Sequence, residues 1–176
     1  MPGERSLYRK IQVTIEYAEE GQPKNVETLV EYMYRRSPTN FAYYWRDKND
    51  AIKHDYSKNS INDIITLCIE LGLITKNGQL TNIGISATDP RRFPIILGKR
   101  TARLLGEKGI SIEKIVTAIN RTLSSAVPRP STVDEIWSHV GETDKIDFLT
   151  FKRLMNLLGE CRVLFMTQKR IYLPFS

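Results

Sequence analysis

Four polar side chains between Phe148 and Leu158, namely Thr150, Lys152, Arg153 and Asn156, are of the types that hydrogen-bond to base edges. Arg or Lys pairs with guanine O6 and N7, and Asn with adenine N6 and N7. Gln168, Lys169 and Arg170 follow where a hairpin tip is expected, and Arg100 and Arg103 lie in a basic run upstream. Lys58, Asn62 and Lys76 form a thinner set in the first half, where Asp63 would repel phosphate. These twelve residues are the expected contacts to double-stranded DNA.

Catalysis finds little support. A metal-dependent nuclease needs carboxylates held together near a lysine, but Glu113-Lys114, Asp47-Lys48 and Asp144-Lys145 only place an acid beside a base outside any strand context. There is no Gly-rich phosphate loop and no nucleophile elbow. His54 and His139 stand far apart, with neither a metal-ligand spacing nor a nucleophile to activate. No catalytic residue, metal or cofactor is expected.

The elements that would carry the DNA-facing residues repeat within the chain. Ser60 to Gly84 and Asp147 to Pro174 each run as an amphipathic helix, a Leu-Gly stop and a short hairpin. Ile61, Ile64, Ile65, Cys68 and Leu71, and Phe148, Phe151, Met155 and Leu158, recur at helical spacing, so one stripe of each helix must be buried. Gly72 and Gly159 are placed to end these helices at positive φ. Strands follow, Leu73 to Thr75 and Cys161 to Met166, and Asn77-Gly78 supplies a tight turn.

The run GLITKNGQLTNIGISA resembles the recognition-helix end, wing and following segment of winged helix-turn-helix regulators, with Thr81, Ile83 and Gly84 carrying most of the likeness. It covers Ser60 to Ala87 well and Ser111 to Pro174 more loosely. The resemblance implies a mainly α fold with small β-hairpins, two winged-helix units joined by a helical bridge.

Upstream elements fit that order. A helix from Tyr8 to Glu20 opens the first unit, although QVTIEY could instead be extended. Asn25 caps a helix Val26 to Arg36, with Val26, Leu29, Val30 and Met33 as its apolar stripe. Residues 37–59 intervene as an insertion rich in aromatics and cations: Phe41, Tyr43, Tyr44, Trp45 and Tyr56 among Arg46, Lys48, Lys53 and Lys58. Such a mixture can stack bases or pack onto the domain, and a short helix near Asn49 to Tyr56 suits packing. Pro90 and Pro94 mark a joint, and Ile95 to Leu105 reads as a bridging helix with Ile95, Ile96, Ala102, Leu104 and Leu105 apolar. Ser111 caps Ile112 to Leu123. A Pro-rich joint leads to Thr132 and Glu135 at capping-box spacing, ahead of a helix Val133 to Val140. The expected divisions are 1–88, 89–109 and 110–176.

At 176 residues, 26% charged and 41% hydrophobic, the chain is long enough for two small cores. Its net charge of +6 is uneven. Residues 1–88 hold 11 Lys/Arg and 11 Asp/Glu, whereas 89–176 hold 15 and 9. Arg91 to Arg129 alone has nine basic residues against Glu107 and Glu113. A field of that sign attracts polyanions. No apolar run is long enough to cross a bilayer, and MPGERSLYRK lacks a secretory core, so a cytoplasmic, nucleoid-associated or nuclear protein is expected. Cys68 and Cys161 read as small buried hydrophobes, with a disulfide as the alternative. The neutral first unit suits a protein partner or a second protomer, and tandem winged helices also serve as protein-interaction scaffolds, the alternative to DNA binding.

Overall fold

A computed structural model of the chain describes residues 6–36, 50–125, 131–141, 144–167 and 170–172, with backbone alone for 50–57, 165–167 and 170–172. The chain is mainly helical. It divides into two compact units, Met1–Ile96 and Leu97–Ser176.

In the first unit, α1 (Leu7–Gly21) starts where the Ser6 hydroxyl accepts the Arg9 N–H at 3.1 Å. Ile11, Ile15 and Ala18 recur at i, i+4 and i+7 and are buried, so the β-branched run is helical rather than extended. Buried Thr14 satisfies its hydroxyl by donating to the Lys10 carbonyl at 2.7 Å. Helix α2 (Val26–Arg36) has the expected bounds. Asn25 accepts the Thr28 N–H on Oδ1 at 2.8 Å and donates its own N–H to the Thr28 hydroxyl at 3.2 Å, a reciprocal cap. Leu29, Val30 and Met33 turn inward, whereas Val26 is half-buried.

Helix α3 (Asp50–Glu70) corrects the expected short helix near Asn49 to Tyr56: one helix continues through Asn59 and Ser60. Ile61, Ile65, Cys68 and Leu71 form its buried seam against α1 and α2. It ends at Gly72 (φ 74), with the Leu73 N–H reaching back to the Cys68 carbonyl at 2.9 Å and the Gly72 N–H to Ile69 at 3.0 Å. These crossed bonds satisfy the last carbonyls of the helix.

The first hairpin is shorter than expected. Only an Ile74–Leu80 bridge forms, and Thr75 and Gln79 close a three-residue loop whose last residue, Gly78, takes φ 82. The Asn-Gly pair therefore serves a longer loop than the two-residue turn it usually makes. Thr81 then caps α4 (Asn82–Ala87), accepting the Gly84 N–H at 3.0 Å while donating to the Gly72 carbonyl at 2.6 Å. A Cβ on Gly84 would lie 2.0 Å from the Leu73 carbonyl oxygen, so only glycine lets α4 sit this close.

Helix α5 (Phe93–Glu107) carries Pro94 in its first turn, where a missing N–H is tolerated. In the first unit Phe93 meets Tyr8 edge-on at 4.8 Å. The expected stripe holds at its C-terminal end, where Leu104 and Leu105 are buried, and fails at its start: Ile95 is 60% exposed and Leu97 takes the buried place. The bridging helix read over Ile95 to Leu105, within the expected linker 89–109, runs across the division between the two units.

The second unit continues with α6 (Ile112–Leu123), capped by Ser111, then β1 (Ser131–Thr132) and α7 (Val133–Val140). The Thr132 hydroxyl accepts the Glu135 N–H at 3.3 Å and meets the Glu135 carboxylate at 3.3 Å, as the capping-box spacing predicts. Helix α8 (Phe148–Glu160) leads to β2 (Phe165–Thr167) and β3 (Arg170–Tyr172). These strands form an antiparallel sheet in the order β1-β3-β2, with Ser131 opposite Ile171 and Met166 also opposite Ile171. Buried Ser131 shares a 2.5 Å hydrogen bond with Thr122 of α6, fastening β1. Gly98 of α5 runs close to Cys161 and Val163: a Cβ there would fall 2.8 Å from a Val163 methyl.

Gly159 does not end α8. The helix runs on to Glu160, and Arg162, at φ 60, takes the left-handed position. The second strand therefore begins at Phe165 and not at Cys161.

Candidate nucleic-acid interface

Helix α8 is positioned by its buried face. Phe151, Leu154, Met155, Leu157 and Leu158 are all at most 1% exposed. Trp137 of α7 packs on Phe148 and Phe151 with ring centroids at 5.7 and 5.1 Å, fixing how α8 follows α7. Asp147 starts the helix by accepting the Thr150 N–H at 2.7 Å. Hydrogen bonds from Thr150, then the charge of Arg153, hold its carboxyl below the usual carboxylate range.

What remains outward is a stripe. Leu149, Lys152, Arg153 and Asn156 are exposed and recur at i, i+3, i+4 and i+7, along one side of the helix. Thr150 lies beside the stripe, half-buried, and contributes first to the cap. Leu149, 58% exposed, is the member that a search for polar side chains overlooks. Its spacing to Arg153 and Asn156 was the available signal. An apolar side chain beside hydrogen-bonding ones suits a thymine methyl.

Other expected residues are dispersed or engaged. Arg103 makes an exposed ion pair with Glu107 at 3.1 Å, and Arg100, on the same helix, is half-buried. Lys58 does not face outward for a ligand: it pairs with Glu31 and sits 5.4 Å from the Tyr34 ring centroid. The helix begins well before Lys58 and turns this side chain toward Glu31 of α2. Asn62 and Asp63 are exposed on α3, and Lys76 is exposed in the Thr75–Gln79 loop. Gln168 and Lys169 lie outside the described residues, as does the Arg170 side chain and most of the aromatic insertion from residue 37.

The units differ in charge. Met1–Ile96 contains 13 Lys/Arg and 12 Asp/Glu, and Leu97–Ser176 contains 13 and 8. Cys68 and Cys161 are free thiols. Burial pushes both up, Cys161 to about 12 with a further push from Glu160, so each is a protonated packing group at neutral pH. Of the acid–base neighbours, Glu113-Lys114 lies on α6 and Asp144-Lys145 in an exposed turn before α8; Asp47-Lys48 falls outside the described residues. His139, isolated in sequence, meets Arg121 in space, with its Nδ1 at 3.2 Å from the guanidinium. Among the described residues no helix is long and apolar enough to cross a membrane.

Compared with known proteins, the chain matches no family model, no curated protein and no solved structure.

Proposed function

We propose that the chain is a double-stranded DNA-binding protein of two winged-helix units, in which α8 enters the major groove and the β2–β3 hairpin and α5 contact phosphate. The observation that carries this reading is the outward stripe Leu149, Lys152, Arg153 and Asn156 on a helix whose opposite side is fully buried. A recognition helix needs that division, one face anchored and the other presenting groups that distinguish base pairs. The order helix, helix, turn, helix, hairpin supports the winged-helix assignment of the second unit, and the Gly72–Gly84 corner supports it in the first. The role is that of a regulator or of a target-recognition part in a larger assembly.

A gel-shift comparison of duplex DNA, single-stranded DNA and RNA tests the reading. Duplex should be preferred, and each neutralised phosphate should add about −0.9 to the log–log salt slope. Absence of duplex binding, or a flat salt response, refutes it.

One set of observations favours a protein-interaction role for the first unit. Its near-neutral charge, the engagement of Lys58 by Glu31, exposed Asp63, and exposed Ile83 and Ile85 on α4 all suit a protein surface better than phosphate. In this second reading the first unit docks a protein partner or a second protomer. Salt-insensitive self-association or partner capture that survives loss of the α8 stripe would favour it.

A further inference from the structure

A cleft of about 420 Å³ opens between α6 and α7, lined by Gly109, Glu113, Lys114, Thr117, Arg121 and His139. Its volume lies in the range of small-ligand sites. Its charge is unbalanced. Lys114 and Arg121 are basic side chains, and among the described residues no carboxylate is in ion-pair reach of either; Glu113 lines the cleft without pairing.

The partners these cations do have are weak ones. Lys114 rests its ammonium on the Gly109 carbonyl at 3.1 Å. Arg121 points Nη1 at His139 Nδ1, 3.2 Å away. A guanidinium has donors only, so in this contact Nδ1 is the acceptor. A neutral ring nitrogen is a poorer match for a planar, two-pronged guanidinium than an oxyanion is. Lys114, Thr117 and Arg121 recur at i, i+3 and i+7 on α6, so an ammonium, a hydroxyl and a guanidinium face one space.

We infer that this cleft binds a phosphate group, with Arg121 as the bidentate holder, Lys114 as the second charge and Thr117 and His139 as further hydrogen-bond donors. The group would come either from a phosphorylated small molecule or from the nucleic-acid backbone. The inference does not require DNA binding by α8, because the cleft is built from α6 and α7.

The test is a titration of the full isotope-labelled chain with inorganic pyrophosphate at constant ionic strength, following the ring signals of His139, with chloride as the control anion. A saturable shift of His139 is expected, weakened by about tenfold or more in Arg121→Gln and in Lys114→Gln, since each removes a hydrogen bond to a charged group. Both side chains are exposed, so thermal melting of these variants should be unchanged. Repeating the titration with saturating duplex separates the sources: competition assigns the site to backbone phosphate, and simultaneous binding assigns it to a free phosphorylated molecule. A shift that fails to saturate, that chloride reproduces, or that Arg121→Gln retains would overturn the inference. Failure of duplex binding alone would sink the DNA reading and leave this one standing.

Discussion

After α3, the N–H groups of Leu73 and Ile74 meet the Cys68 carbonyl at 2.9 and 3.3 Å; after α8, those of Val163 and Leu164 meet the Leu158 carbonyl at the same two distances. The hydrogen bonds of the two corners correspond residue for residue when the second is read 90 positions later. In that register the buried positions stay apolar: Ile61 with Phe151, Ile65 with Met155, Cys68 with Leu158. The exposed positions change character, Asn62, Asp63 and Thr66 becoming Lys152, Arg153 and Asn156. Burial holds the frame while the outer face is free to acquire charge. The left-handed residue diverges too, Gly72 in the first corner and Arg162 in the second.

The largest expected effect lies in how each corner is fastened. In the first, Thr81 and Gly84 clamp α4 onto Gly72 and Leu73. Gly84→Ala would drive a Cβ into the Leu73 carbonyl, and a loss of about 3 kcal/mol is expected from urea unfolding. In the second unit Ser131 fastens β1 to α6, and Ser131→Ala should cost only about 1–2 kcal/mol, because Thr122 loses one hydrogen-bond partner. Equal losses would mean that the Gly84 contact is no tighter a fastening than the Ser131 hydrogen bond.

Next in size is the difference in the outer faces. If Arg153 reads a base, Arg153→Ala should weaken binding by about 1–3 kcal/mol, concentrated on the preferred duplex. The complementary change, Asp63→Arg in the first unit, should add about one phosphate contact to the salt slope without adding sequence preference. Equal loss on every duplex would make Arg153 a phosphate contact; an unchanged salt slope in Asp63→Arg would place α3 away from the nucleic acid.

Much of this frame could be read before any coordinates, and the failures have physical causes. The bounds of α2 followed from Asn25 and the Leu29, Val30, Met33 stripe, and the α7 cap from Thr132, because both signals are local. The polar members of the α8 stripe, Lys152, Arg153 and Asn156, were readable for the same reason, whereas exposed Leu149 was not. Gly159 misled because glycine is the usual left-handed residue, while the chain places Arg162 there and keeps Gly159 inside the helix. Strand β1 has two residues and no periodicity; it exists through pairing with β3 nearly 40 residues later. Ile95 failed on register, since Phe93 with Leu97 occupies the core in its place, and the pairing of Lys58 with Glu31 was hidden because α3 starts before Lys58.

The left-handed positions give a smaller test. An L side chain at positive φ costs about 1–2 kcal/mol, partly offset on going to glycine by the loss of about 0.5–1 kcal/mol in chain entropy. Arg162→Gly should therefore raise stability by up to about 1 kcal/mol, and Gly72→Arg should lower it, both measured by urea unfolding. If Arg162→Gly also weakens duplex binding, the strained residue is kept for its charge; if binding is unchanged, its cation has no part in the interface.

The smallest effect separates the helix starts. Position 57 of α3, which aligns with Asp147, lies inside a continuous helix, whereas Asp147 caps α8 with a carboxyl lowered by its bonds to Thr150. A carboxyl whose pKa is lowered on folding stabilises fully above its unfolded value, about 3.9, and loses that contribution as pH falls through the folded value. Thermal melting below about pH 4 should accordingly be less steep in pH for Asp147→Asn than for the native chain, because Asn still accepts the Thr150 N–H but does not titrate. Arg153→Ala should move the native profile slightly toward higher pH, since Arg153 is the weaker of the two influences holding the proton off. Identical profiles for Asp147→Asn and the native chain would place the acid sensitivity elsewhere and leave the α8 start no different from that of α3.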